Sequence, residues 1–212
     1  MKVFYEVDLQ RDFMDEDGAL LVPGSDQIKP NIKKLVDHAI EHGIPRIRTA
    51  DRHFEDDKEL TKFPPHCMDG TRGQMFIKEA SDGNPFSVLP HKIGKDKFFG
   101  ATAPGMADLV RGLADSVADI VIEKQEISIA SNPFAESFFK RFGVTEAIVY
   151  GVATEFCVKE AVTALTSWGV EVTVVVDAIA GINEEDVGVA MVEMAADGAW
   201  FDETDNILED GR

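Results

Sequence analysis

The sequence predicts a single three-layer α/β/α domain built around a largely parallel sheet of about six strands. Apolar runs typical of strands alternate with amphipathic runs typical of helices along most of the 212 residues. This alternation is the pattern of βαβ units, whose helices cover both faces of a parallel sheet. The length suits one domain, and no repeat or linker divides the chain. We therefore expect one domain over 1–212.

Each element is predicted from local pattern and from its end signals. The first run, KVFYEVD, is rich in β-branched and aromatic residues, and the first long helix has Ser25 as a candidate N-cap and Gly43 as a stop. Asn183 is a candidate N-cap for the last helix. The predicted strands are 2–8, 45–50, 118–123, 146–151, 170–176 and 198–201, and the predicted helices are 26–42, 104–115, 133–142, 154–168 and 184–197.

The segment 52–100 interrupts this alternation. It is rich in Pro, Gly, Asp and Lys and shows no clear periodicity. A connection of that length is uncommon in a compact domain unless it is functional or disordered. Because it carries several polar residues with metal-ligand chemistry, we expect a functional loop region that holds a metal site.

Composition excludes several classes of partner. Acidic residues outnumber basic ones 39 to 21, which gives a formal charge of −18. Such a charge repels nucleic acid and anionic membranes. The sequence offers neither the roughly 20 apolar residues of a membrane span nor the apolar core of a signal peptide. The two cysteines form no disulfide framework, so we expect a cytoplasmic protein with reduced thiols. The oligomeric state stays open, a homo-oligomer included.

Reactive side chains follow several of the predicted strands. Asp8, Asp51 and Lys124 stand at strand ends, and Cys157 lies just beyond the strand 146–151. Ligands of open α/β sheets bind at the carboxyl ends of the strands, so these four side chains should converge. The turn after the first strand has neither GxGxxG nor a P-loop, which argues against a nucleotide site.

Cys157 has the position of a nucleophile. With Thr154 as N-cap, the sulfur would stand at the third helical position, where the helix dipole lowers the pKa of a thiol. The alternative is a buried, inert cysteine. Asp8 would act as general base and acid beside it, or else serve as an ordinary turn residue. Lys124 is a candidate partner, although a surface lysine gives the same local pattern.

A second group of candidate residues lies in TADRHF (49–54) and FPPHCMDGTRG (63–73). Asp51 and His53 are two residues apart and project to the same side of an extended segment, while His66 arrives from a proline-fixed loop. Two imidazoles and a carboxylate suit Zn²⁺, or Fe²⁺ or Mn²⁺ with waters. A coincidence in an acidic protein gives the same spacing. We interpret the adjacent Cys67 as a packing residue.

With these residues assembled, the sequence resembles the isochorismatase-like cysteine hydrolases, and within them the nicotinamidases (pyrazinamidases). The resemblance rests on VDLQRDF at 7–13, GVATEFCV at 151–158, DRH with FPPHCMDGTRG, and more weakly DAIAG at 177–181. It implies the isochorismatase-like hydrolase fold, a catalytic set and metal ligands. It also implies a cis peptide before Ala153, whose N–H would join that of Cys157 in an oxyanion hole. The catalytic residues would be Asp8, Lys124 and Cys157, and the metal ligands Asp51, His53 and His66.

The reaction implied by this resemblance is hydrolysis of nicotinamide to nicotinate and ammonia through a cysteine thioester, in NAD salvage. One divalent ion, most simply zinc, would orient the pyridine ring. Phe13 and Phe63 would wall the ring, and Phe134 would replace a tyrosine wall that QEISIASNPF (125–134) lacks. Two alternatives remain open: a relative acting on another small amide or an enol ether, and a non-catalytic α/β binding module.

Overall fold

The computed structural model describes residues 1–81, 87–89 and 119–209, with 87–89 described as backbone only. Seven strands in these segments form one parallel sheet in the order β3-β4-β2-β1-β5-β6-β7. Helices cover both of its faces, so the predicted α/β/α fold is confirmed. The strands are β1 Lys2–Val7, β2 Arg46–Asp51, β3 Ser87–Leu89, β4 Asp119–Lys124, β5 Glu146–Val152, β6 Glu171–Ala180 and β7 Trp200–Asp202.

The six predicted strands all occur, and β3 is additional. It is three residues long and pairs with β4. Its three residues lie in the region whose composition gave no strand signal, which explains why the sequence did not predict it. The predicted helix near 104–115 lies outside the described residues.

The helices in the described segments are α1 Arg11–Met14, α2 Ser25–Glu41, α3 Ala135–Phe142, α4 Lys159–Ser167, α5 Glu184–Ala196 and α6 Thr204–Glu209. The predicted cap Asn183 is confirmed, because its side chain accepts the N–H groups of Glu185 and Asp186. Ser25 is wrong as an N-cap. Gly24, with φ of 75°, occupies that position, and Ser25 is the first helical residue. None of the helices described is both long and apolar enough for a bilayer span.

Two apolar cores lie on opposite faces of the sheet, as the alternation of β1 requires. Val3, Tyr5 and Val7 pack with α3, α4 and α5 on one face. Phe4 packs with α2 on the other. All residues of β1 after Lys2 are buried, so the strand that carries Asp8 at its end is held from both sides.

The strand order creates a crevice beside β1. The chain passes from β1 to β2 on one side and later places β5 on the other side. Such a reversal leaves an opening at the carboxyl ends of the two central strands, where ligands of α/β sheets bind. Gly151 allows β5 to come close to β1 here. Its φ is +129°, and a Cβ at this residue would lie 2.1 Å from the carbonyl oxygen of Val7, so only glycine fits.

Candidate active site

Lys124 is the centre of a buried cluster at this edge of the sheet. Its Nζ lies 2.9 Å from Asp8 Oδ2, 2.5 Å from Asp51 Oδ1 and 3.4 Å from Cys157 Sγ. Asp51 and Lys124 are opposite each other in the β2–β4 register, which explains their contact. The structure thus brings together the four residues that the sequence placed at strand ends, and we call them the lysine cluster.

Asp8 follows β1 directly and is fully buried. Its φ of 49° turns the chain out of the strand, and its Oδ1 accepts a hydrogen bond of 2.6 Å from the hydroxyl of Thr49. Burial raises the pKa of Asp8 above its ordinary value, although the Lys124 ammonium and the Thr49 hydroxyl oppose the shift. A carboxylate that takes up a proton more readily than an exposed one suits a general base that later returns the proton.

Cys157 stands in a π-helical turn, Thr154–Val158, which precedes α4. The prediction of Thr154 as N-cap is wrong. Ala153 holds that position, and the buried Thr154 hydroxyl has no hydrogen-bond partner. The sulfur is therefore on the fourth residue of the turn and not on the third.

The expected lowering of the Cys157 pKa is also wrong. Burial raises the pKa of this thiol well above its usual value, and the carboxylates of Asp8 and Asp51 add to the effect, while Lys124 opposes it. Cys157 is only 8% exposed, so water would solvate a thiolate poorly here. This environment favours the thiol over the thiolate.

The peptide bond between Val152 and Ala153 is cis, as the resemblance implied. It stands between the end of β5 and the turn that carries Cys157. The oxyanion-hole role of the Ala153 and Cys157 N–H groups stays a prediction.

Next to the lysine cluster, four buried side chains each offer one ligand atom within 4.8 Å of the others: Asp51, His53, Glu59 and His66. His66 Nε2 lies 3.6 Å from Asp51 Oδ2 and 3.8 Å from Glu59 Oε1. Glu59, which the sequence did not predict as a ligand, comes from a 3₁₀ turn, Lys58–Thr61. Four of the five residues at 55–59 are acidic, and Glu59 differs from the other three in lying within this 3₁₀ turn.

This set fits a divalent cation. Asp51 Oδ2 and His53 Nε2 are buried without a hydrogen-bond partner, which is costly unless something else satisfies them. His66 Nδ1 lies 2.8 Å from the Pro64 carbonyl oxygen, and this contact leaves its Nε2 to face the set. Two imidazoles and two carboxylates are the ligand types that Zn²⁺ takes, and Fe²⁺ or Mn²⁺ also accept them.

Charge within the set shifts the pKa values of its members. Burial alone would lower the pKa of His66, but the Asp51 carboxylate, whose Oδ2 lies 3.6 Å from His66 Nε2, and the other negative charges nearby raise it. Burial alone would raise the pKa of Asp51. The Lys124 ammonium and the two histidines more than offset this effect, so the pKa of Asp51 is lowered. Asp51 therefore stays ionised and links the metal set to the lysine cluster.

Gln10 and Asp12 hold the loop of this set against the end of β1. The Gln10 side chain donates to the Asp51 carbonyl at 2.7 Å and accepts the Asp51 N–H at 2.7 Å. Asp12 Oδ2 accepts the Cys67 N–H at 2.7 Å. Cys67 itself is fully buried and packs in the core cluster of α2, in agreement with its interpretation as a packing residue.

A pocket opens from Cys157 and the metal set. Phe13 and Phe63 line it, as do Phe156, Ile127 and Ile182, which the sequence reasoning had not singled out. The ring centroids of Phe13 and His66 are 5.3 Å apart. Those of Phe63 and Phe156 are 5.7 Å apart, with the two rings edge to face.

Phe134 does not line this pocket. It is 2% exposed and packs in the core with α3, because it occupies the N-cap position of that helix and its N–H is bound by Asn132 Oδ1. The side chains that line the pocket include Phe156 and Ile127.

The fold and the family match together identify a hydrolase. The Isochorismatase domain family matches residues 5–205, and the chain belongs to that family. It is 26% identical over 204 residues to the nicotinamidase of Escherichia coli, covering 91% of this chain and 90% of that one. It is also 26% identical over 181 residues to an Arabidopsis thaliana protein named "Probable inactive nicotinamidase", covering 84% and 80% of the two chains.

Among solved structures, the pyrazinamidase of Pyrococcus horikoshii in complex with zinc is similar to this chain. The two share 25% identity with a TM-score of 0.71, covering 95% of this chain and 98% of that one. These comparisons confirm the predicted family and a hydrolase of the amide class.

Proposed function

We propose that this chain hydrolyses nicotinamide to nicotinate and ammonia through a thioester on Cys157. The observation that carries the proposal is the contact of one buried ammonium, Lys124, with Asp8, Asp51 and Cys157. The thiol thus has a proton acceptor and a cation beside it at the base of an aromatic pocket. The likeness to proteins named nicotinamidase and pyrazinamidase supports the choice of substrate.

The chemistry follows from the order of proton transfers. Asp8 takes the proton of Cys157, and Lys124 stabilises the thiolate as it forms. The sulfur attacks the amide carbon while the N–H groups of Ala153 and Cys157 hold the oxyanion. Asp8 then gives its proton to the departing ammonia. In the second half, Asp8 removes a proton from water, which attacks the thioester and releases nicotinate, and the proton returns to Cys157.

Asp51, His53, Glu59 and His66 would hold one divalent ion, with zinc as the first choice. When bound, the ion supplies an electrophilic anchor for the pyridine nitrogen. Phe13, Phe63 and Phe156 would pack against the ring and exclude water, which positions the amide carbon over the sulfur. We also propose a role in NAD salvage, which the resemblance implies. A cytoplasmic location is proposed from cysteine usage, because two buried free cysteines suit a reducing compartment.

The test is a panel of small amides, with nicotinamide, pyrazinamide, benzamide and an aliphatic amide, assayed for ammonia with and without a chelator. We expect release from the pyridine and pyrazine amides and a loss of rate on chelation. The Cys157→Ala variant should lose at least about 10³-fold in rate. The matched control is Cys67→Ala, which removes the other buried sulfur and should stay active.

Ammonia release that survives Cys157→Ala would remove the thioester route. Full activity of a His53→Ala, His66→Ala double variant would show that the reaction does not need the metal. If the parent protein releases ammonia from no amide in the panel, the choice is between an enol ether substrate and a binding module. An assay for a cleaved enol ether separates these two.

A further inference from the structure

Glu155 is a buried carboxylate in the turn that carries the nucleophile. It is two residues before Cys157 and is 8% exposed. Its Oε1 accepts the backbone N–H groups of Ile182 at 2.7 Å and Asn183 at 2.9 Å. One side chain therefore ties the turn after β5 to the segment that leads into α5.

The approach of these two segments is close. A Cβ on Gly181 would lie 2.4 Å from Glu155 Oε2 and 2.2 Å from Val187 Cγ2. A larger residue at this position would push the Glu155 carboxylate or the Val187 side chain aside. The contact therefore depends on two residues: Glu155 in the turn, and Gly181 in the segment that the Glu155 carboxylate contacts.

Ile182 connects this contact to the pocket. Although 42% exposed, it lines the same pocket as Cys157 and Phe156. Its backbone is bound by Glu155, which belongs to the same turn as both of those residues. The distance between the nucleophile and the Ile182 wall is therefore set through this carboxylate.

We propose that Glu155 is a positioning residue that fixes the Ile182 wall of the pocket relative to Cys157 and so sets the affinity for a flat aromatic carboxamide. The substrate class rests on the proposed function, whereas the structural link does not. The hydrogen bonds described for Glu155 reach none of the groups that move protons in the proposed reaction, which are Asp8, Lys124 and the sulfur. Its loss should therefore weaken substrate binding more than it slows the chemical step.

The test uses three substitutions of Glu155 in the full chain. Glu155→Ala removes the acceptor, and Glu155→Asp is one methylene too short to reach both N–H groups. Both should raise KM for nicotinamide about tenfold, with kcat within about threefold of the parent. Glu155→Gln keeps the length and an acceptor oxygen, so its KM should stay within about threefold.

A second variant disturbs the same contact without changing the acid. Gly181→Ala places a methyl group against the carboxylate, and we expect it to raise KM in the same way as Glu155→Ala. The matched control is Glu160→Ala in α4, which removes a carboxylate five residues further along the chain and should leave KM and kcat unchanged.

Hydrogen exchange measures the contact between Glu155 and the Ile182 and Asn183 amides without relying on enzyme activity. The Ile182 and Asn183 amides should exchange at least about tenfold faster in Glu155→Ala than in the parent or in Glu155→Gln. Unchanged exchange in Glu155→Ala, or a fall in kcat at constant KM, would overturn the proposal. If the parent fails to hydrolyse nicotinamide, the proposed function fails, and the exchange measurement still decides whether Glu155 holds this segment.

Discussion

Two groups of buried charged side chains lie on β1, β2 and β4 or directly after them, and they differ in how their charges balance. The first is the lysine cluster. The second, which we call the arginine cluster, consists of Glu6, Arg46, Arg48 and Asp119. In it, Arg46 Nε lies 2.6 Å from Glu6 Oε1, and Arg48 Nε lies 2.7 Å from Asp119 Oδ1. Both guanidinium groups also donate to the Ala80 carbonyl oxygen.

The arginine cluster pairs two guanidinium groups with two carboxylates, so it is neutral within itself. The lysine cluster sets one ammonium against Asp8 and Asp51, and Glu59 adds a further carboxylate nearby. A balanced buried set has no need of a ligand, whereas an excess of negative charge leaves a place for a mobile proton and for a cation. We therefore expect the arginine cluster to serve stability and the lysine cluster to serve the proposed reaction.

The largest effect that tests this difference is expected for Asp8→Asn. The variant keeps the shape of the side chain but cannot take the thiol proton, so kcat/KM for ammonia release should fall at least about 10³-fold. Because the pKa of Asp8 is raised above 3.8 in the folded protein, its ionised form costs stability. The free energy of unfolding then falls as pH rises through the shifted pKa.

The neutral Asn avoids that cost, so urea unfolding at neutral pH should show a variant at least as stable as the parent. A loss of stability together with full activity would place Asp8 in a structural role and would erase the distinction between the two clusters.

In the arginine cluster, the opposite pattern is expected for Arg48→Met. The change leaves Asp119 buried with one of its two arginine partners, and such a loss costs about 3–5 kcal/mol of unfolding free energy. Activity per folded molecule should remain, because Arg48 contacts neither Cys157 nor the metal set in the hydrogen bonds described.

Urea unfolding and ammonia release on the same sample measure both quantities for Arg48→Met. The matched control is Lys140→Met, which breaks an exposed pair with Glu136 and should change stability by no more than about 0.5 kcal/mol. A drop in kcat for Arg48→Met at temperatures where it is fully folded would link the two clusters.

The smallest effect concerns the hydrogen bond from Thr49 to Asp8. Thr49→Val removes a donor that stabilises the ionised carboxylate, so the pKa of Asp8 should rise further. The acid limb of the kcat/KM profile should move to higher pH by about one unit. Thr163→Val, which removes a hydroxyl bound to Asp197 on the surface, is the control and should leave the profile in place. A shift to lower pH would contradict the assignment of Asp8 as base.

Topology explains why so much of the site was predictable. Parallel strands end at one edge of the sheet, so Asp8, Asp51 and Lys124 could be placed together from their positions at predicted strand ends. Their contact distances were not predictable in the same way, because they depend on the β2–β4 register.

Other features depended on tertiary structure that no local pattern reports. The Cys157 pKa moved opposite to expectation because burial and two carboxylates outweigh Lys124, and a π turn replaced the regular helix start. Glu59 stands among several acids of similar local pattern, and Phe134 was misplaced because its position at the start of α3 turns it into the core.

The close approach of β5 to β1 has a practical consequence for redesign. Any side chain at Gly151 would collide with the carbonyl of Val7, so mutational libraries that include this residue would return mostly misfolded clones. Ile127 and Ile182 face the pocket from segments outside the sheet. Engineering aimed at bulkier or smaller amides should therefore randomise these two isoleucines and leave the central strands untouched.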